Sequence, residues 1–149
     1  MSPTGRAPTS YRVRARTTPT DGTLVEAADR SIPVDASWDR PPSGLPGPAD
    51  LLASALAACL LKNLNRSARL LPFRYSSAEV EVTARRQDTP PRFTALTYEL
   101  RLVTDEPQRR IDLLHRNLRG FGTVYNTLAS ACDVGGRIVA VAPSGAEGR

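Results

Sequence analysis

The stretch Gly47-Pro48-Ala49-Asp50-Leu51-Leu52-Ala53-Ser54-Ala55-Leu56-Ala57-Ala58-Cys59-Leu60-Leu61 decides how this chain folds. Leucine and alanine dominate it, and both favour helix. Pro48 suits the first helical turn, where its missing N–H costs nothing. From Leu51 to Leu61 the segment is apolar or small nearly all round. A helix apolar on every side is buried on every side, and this one is too short to span a bilayer. A chain of 149 residues rarely encloses a helix completely, so a subunit interface is expected to complete the burial. Past Leu61 the helix turns polar at Lys62, Asn63, Asn65 and Arg66, and it must end before Pro72.

Upstream, residues Tyr11 to Arg16 alternate, with Tyr11, Val13 and Ala15 on one face and Arg12, Arg14 and Arg16 on the other. That pattern predicts a half-buried strand. Asp21-Gly22 signals a turn, with returning strands expected at residues 23–28 and 31–36. The proline- and glycine-rich segment from Trp38 to Pro48 is a loop that delivers the chain to the helix. Downstream, Ala78 to Arg85 and Thr94 to Val103 alternate as strands around an irregular loop at Pro90-Pro91. Ile111, Leu114 and Leu118 form the apolar stripe of a second helix over residues 107–119, with Gly120 as its C-cap. A short helix at residues 126–131 follows. Gly135-Gly136 then leads into a last strand at residues 137–142. The order β-β-β-α-β-β-α-α-β predicts one α+β domain over residues 1–149, ordered from about 11 to 142, with tails at 1–10 and 143–149.

Composition bounds the function. The net charge is +5, and Lys62 is the only lysine. Arginine suits bidentate anion contacts, but an arginine bias also follows from a genome's base composition. Arg12, Arg14 and Arg16 on one strand, with arginines at 85, 86, 109, 110, 116 and 119, leave a nucleic-acid partner open. The scarcity of aromatics for base stacking argues against it. No transmembrane run and no secretory leader are visible, so a cytoplasmic, membrane-free protein is expected, its two cysteines kept as thiols.

Several chemistries are missing from the sequence. It has no HExxH, no glycine-rich phosphate loop and no CxxC. The single histidine, His115, does not make a metal site or a hydrolytic triad. It reads as a structural residue on the exposed flank of the second helix. No cofactor or metal is expected. Cys59 and Cys132 are the reactive side chains that remain. Cys59 reads either as a small core residue or as a nucleophile. A nucleophilic thiolate needs nearby positive charge. Cys59 lies beyond the first turn, where the helix dipole acts. Lys62 at i+3, or an arginine from the loop or another subunit, is the candidate source.

Gly47-Pro48-Ala49-Asp50-Leu51-Leu52 with Ala55-Leu56-Ala57-Ala58-Cys59 resembles the signature of the OsmC/Ohr family, the osmotically inducible and organic-hydroperoxide-resistance proteins. Gly122-Thr123-Val124-Tyr125-Asn126-Thr127-Leu128 resembles that family's Cys-Pro-Val-Ser-Asn-Thr-Leu segment. The resemblance implies an OsmC/Ohr-like fold, with an antiparallel sheet, a long buried central helix and an intertwined homodimer. It also implies thiol peroxidase chemistry on an organic hydroperoxide substrate at the subunit interface, with an external thiol reductant. Cys59 is then the catalytic thiol. Its sulfenic acid would be resolved by a second cysteine, and an arginine and an acid would hold the thiolate and the peroxide.

This sequence departs from the pattern at the second cysteine, which falls at Gly122. A one-cysteine cycle is therefore expected, with Cys132 as a displaced resolving thiol only if the fold brings its Cα within about 7 Å of that of Cys59. Arg40, and next Arg30, are the candidate arginines, and surface exposure is the default reading of either. Asp50 is the candidate acid. On a continuous helix it stands about 13.5 Å and half a turn from Cys59, and favouring the helix dipole is its simpler role. An alternative keeps the scaffold without catalysis, as a protein binding a small apolar ligand at the dimer interface.

Overall fold

The computed structural model describes residues 9–38 and 43–144. The chain forms two compact units, residues 1–50 and 51–149.

In the first unit, β1 (Val13–Thr18), β2 (Gly22–Ala27) and β3 (Arg30–Val34) form an antiparallel meander. Gly22 takes φ +82° at the first turn, a conformation glycine adopts without a side-chain penalty. Thr18 Oγ1 accepts the Asp21 N–H there at 2.8 Å. Every residue of β1 is exposed. The expected half-burial is absent: β1 is the edge strand of its sheet, and nothing among the described residues of its unit buries either face. The third strand stops at Val34 because Asp35 turns away to accept bonds from the backbone N–H and hydroxyl of both Ser37 and Ser43. Those bonds, led by the Ser37 hydroxyl, hold its carboxyl well below the usual carboxylate range. Asp35 thus ties Ser37, just before the proline-rich loop, to Ser43 within it.

The second unit carries the core. Helix α1 runs from Pro48 to Leu70, starting in the first unit's last residues. Its buried residues Leu56, Leu60, Asn63, Leu64 and Ser67 recur at helical spacing and make one stripe. All-round burial does not occur within the chain. Ser54 and Ala58 are exposed, and Leu51, Leu52 and Leu61 are half-buried. β4 (Ser77–Asp88) and β5 (Pro91–Val103) pair as a long antiparallel hairpin, tighter at its turn than the two prolines suggest. Gln87 Nε2 donates to the carbonyls of Thr89 and Pro90 and supports that turn.

Helices α2 (Gln108–Phe121) and α3 (Thr123–Ala129) lead to β6 (Asp133–Val141), which pairs with β5 in parallel. The sheet is therefore mixed, in the order β4-β5-β6, rather than wholly antiparallel. A parallel return needs a long crossover, and α2 and α3 supply it. Gly120 does not cap α2. The helix continues to Phe121, and Gly122 leaves it in an extended conformation. β6 starts earlier than its glycines suggest, because they lie inside it. Gly136 pairs with Tyr98, and a Cβ there would press on the Tyr98 carbonyl and come 2.5 Å from its Cγ. Glycine is what lets the tyrosine ring lie across the strand. Leu56, Leu60 and Leu64 of α1, Leu96, Tyr98, Leu100 and Leu102 of β5, Ile111, Leu114 and Leu118 of α2, and Tyr125 of α3 close the core.

Candidate functional site

Cys59 precedes Leu60 and follows Leu56 by three residues, so its sulfur leaves α1 at the edge of the buried stripe. The side chain is half-buried against the core. It meets the junction of α2 and α3. A Cβ built on Gly122 would stand 2.7 Å from Cys59 Sγ and 3.1 Å from the Cβ of Tyr125. The sulfur therefore packs directly on the glycine backbone, at the position where the resemblance places a second cysteine.

Three side chains fix this junction. Asn63, one turn beyond Cys59, donates from Nδ2 to the Asn117 carbonyl at 3.0 Å and satisfies an end carbonyl of α2. Asn126 donates from its backbone N–H to the Gly122 carbonyl at 2.9 Å and from Nδ2 to the Gly120 carbonyl. Tyr125, nearly fully buried, meets the Tyr98 ring edge-on with centroids 6.2 Å apart. Its hydroxyl donates to the Val134 carbonyl. Tyr98 Oη in turn shares a hydrogen bond of 2.7 Å with His115 Nε2. Burial pushes the Tyr98 phenol well above its ordinary value, and the Tyr125 hydroxyl adds to the effect. Burial and then the Arg119 charge lower the pKa of His115. His115 is thus a half-buried structural partner of Tyr98 rather than a residue on an exposed flank.

The other candidates lie elsewhere. Cys132 is a half-buried free thiol at the foot of β6, its sulfur against the Leu128 carbonyl at 3.5 Å. The two cysteines contact opposite ends of α3, about 9 Å apart along its axis. Asp50 sits in the first turn of α1 and accepts the Gly47 N–H at 2.9 Å. This is the back-reaching half of a capping box, on a helix that continues without a break to Cys59. Arg40 lies outside the described residues. Arg30 is exposed and donates to the neighbouring Asp29 carbonyl.

Among the described residues, no three His, Cys, Asp or Glu side chains gather to hold a metal. No helix among them is long and apolar enough to cross a membrane. A depression of about 300 Å³ over Glu81, Thr97, Glu99 and Arg137 holds no thiol. Glu99 there is already paired with Arg137 at 2.6 Å and with Arg101.

The sequence pattern singles out Cys59 and position 122, which the fold brings into contact, but it does not single out Asn63 or Tyr125. The available signal for Asn63 is its spacing, since it falls at the helical interval of Leu56, Leu60 and Leu64. Tyr125 carried none beyond its place in the second motif.

Residues 41–135 match the family model described as OsmC-like protein. No curated protein matches the chain. Among solved structures, an OsmC-like protein from Mycoplasma pneumoniae superposes with a TM-score of 0.80 at 20% identity, covering 89% of this chain and 97% of its own. The organic hydroperoxide resistance protein OhrB of Bacillus subtilis gives 0.65 at 16% identity, over 87% and 98%. An organic hydroperoxide resistance protein OsmC from Legionella pneumophila gives 0.65 at 19%, over 86% and 96%. At these identities the likeness is one of fold.

Proposed function

Because the chain belongs to the OsmC-like protein family, we propose that it is a thiol-dependent peroxidase that reduces organic hydroperoxides through Cys59. Its structural neighbours include organic hydroperoxide resistance proteins. The observation that carries the reading is the contact of Cys59 Sγ with Gly122, which joins the two sequence motifs at one sulfur.

The Cys59 thiolate attacks the terminal oxygen of the hydroperoxide. The O–O bond breaks, the alkoxide leaves and takes a proton as alcohol, and the sulfur becomes a sulfenic acid. Gly122 offers no thiol to condense with it, and Cys132 stands at the other end of α3. An external thiol therefore closes the cycle: it displaces water to form a mixed disulfide, and a second thiol frees Cys59. The side of α1 that carries the half-buried Leu51 and Leu61 with the exposed Ser54 and Ala58 supports a homodimer in which a second copy covers it.

The test is intact mass after one equivalent of alkyl hydroperoxide with a sulfenic-acid trap, run on wild type, Cys59→Ser and Cys132→Ser. A trapped adduct lost only in Cys59→Ser is the expected result. A Cys59–Cys132 disulfide would replace the one-cysteine cycle with a two-cysteine one. No oxidation in a folded protein would refute the peroxidase reading and favour a ligand-binding protein on the same scaffold.

A further inference from the structure

The proposed cycle needs a thiol from outside, and the surroundings of Cys59 describe it. Cys59 and Arg66 share one flank of α1, because seven residues return a helix to within about 20° of its starting direction. Lys62, three residues on, borders the same flank. Toward the helix start the flank is apolar, with Leu52 and Ala55, and toward its end it is cationic. Across from it, Phe121 is 61% exposed, and the Arg66 guanidinium lies 4.8 Å from its ring centroid. Phe121 adjoins Gly122, which touches the sulfur.

Among the described residues no ion pair balances these charges. Residues 51–78 and 113–132, the two segments that meet at the thiol, contain no Asp or Glu. Arg74, Arg86, Arg101, Arg110 and Arg137 all have acidic partners. Among the described residues Lys62 and Arg66 form no ion pair, as is true of other arginines such as Arg69, Arg109, Arg116 and Arg119; their place on the flank of Cys59 sets them apart. Unpaired cations on the flank of the proposed thiol raise the local concentration of anions.

We propose that the reductant of oxidised Cys59 is a low-molecular-weight thiol bearing a carboxylate, drawn to the sulfur by Lys62 and Arg66. This rests on the peroxidase reading above. The incoming thiolate attacks the sulfenic sulfur of Cys59. The S–OH bond breaks, hydroxide takes a proton and leaves as water, and a mixed disulfide forms. A second thiolate attacks the outer sulfur of that disulfide and releases Cys59 as thiolate. One hydroperoxide and two thiols become one alcohol, one disulfide and one water. The apolar side of the flank is left for the alkyl group of the hydroperoxide.

The test measures turnover of tert-butyl hydroperoxide at low ionic strength with mercaptoacetate, mercaptoethanol or cysteamine, which are anionic, neutral and cationic. Rates are compared per thiolate present. The expected order of kcat/KM is anionic, neutral, cationic, with the anionic thiol ahead of the neutral one by about tenfold and the gap closing in salt. Lys62→Gln combined with Arg66→Gln removes the gap. Arg109→Gln, in the first turn of α2, keeps it. The preference is a ratio within each variant, so it does not depend on the fraction folded. Equal rates for the three thiols, or a gap that survives the double variant, would overturn this inference and leave the peroxidase intact. No turnover with any thiol, or turnover that persists in Cys59→Ser, would remove the peroxidase reading and this one with it.

Discussion

Replacing Gly122 with cysteine probes the central contact of the site. A Cβ at 122 would lie 2.7 Å from Cys59 Sγ, about 1 Å inside ordinary contact. Reduced Gly122→Cys is therefore overpacked and should lose about 1–3 kcal/mol. The backbone at 122, φ −83° and ψ 124°, accepts any residue, so the cost is steric alone. Across a disulfide, however, a Cβ stands about 3 Å from the far sulfur. A shift of a few tenths of an ångström then converts the clash into a bond. Closing a loop of about 60 residues removes unfolded-state entropy worth up to about 4 kcal/mol. For a chain of this length that is a rise of about 10 °C in melting temperature between reduced and oxidised forms. The assay is intact mass and thiol alkylation after mild oxidation, followed by thermal unfolding with and without reductant. Cys132 should remain alkylatable throughout. Two free thiols at 59 and 122 in the oxidised, folded variant would refute the packing of Cys59 on Gly122.

Other substitutions test the supports of the site. Gly136→Ala should cost at least about 1–3 kcal/mol in urea unfolding, because its methyl would meet Tyr98. Asp50→Asn should cost about 0.3–1 kcal/mol by weakening the first turn of α1, with Cys59 alkylation little changed if the carboxylate serves the helix. His115 is held below its ordinary pKa by burial and by Arg119, so the unfolded chain binds its proton more readily than the folded one. Its contribution to stability is complete above about pH 6.5 and is lost as pH falls through the lowered folded value. His115→Gln should flatten that part of the urea-midpoint profile. An unchanged profile would contradict the burial of the imidazole.

Much of this arrangement was legible in the sequence, for identifiable reasons. Helix α1 was plain because its Leu and Ala run has no competing reading, and the β4–β5 hairpin because its alternation is strict. Position 122 could be paired with Cys59 only through the resemblance, since residues 63 apart carry no periodic relation. Gly120 misled because a glycine after an apolar stripe reads as a cap, whereas the junction is set by Asn126 bonding back to Gly122 and Gly120. The start of β6 was misplaced because glycine is a strand breaker in isolation. Its reason for being there, the Tyr98 ring, lies 38 residues earlier in the chain. On its own helix His115 reads as exposed, because its partner comes from a strand. The all-round apolar helix was right about composition, but only one stripe of it is filled by the chain itself.

The parallel pairing of β6 with β5 bears on how the protein is made. The β4–β5 hairpin can form as soon as it leaves the ribosome, since its pairing is local. The free edge of β5 must then wait for α2, α3 and the last strand to be synthesised. In that interval a long strand presents open backbone groups to any other nascent chain, which is the geometry of edge-to-edge aggregation. A chain cut short before Asp133 would never cover that edge. For this fold, premature termination near the C-terminus is a hazard to solubility rather than the trimming of a dispensable tail.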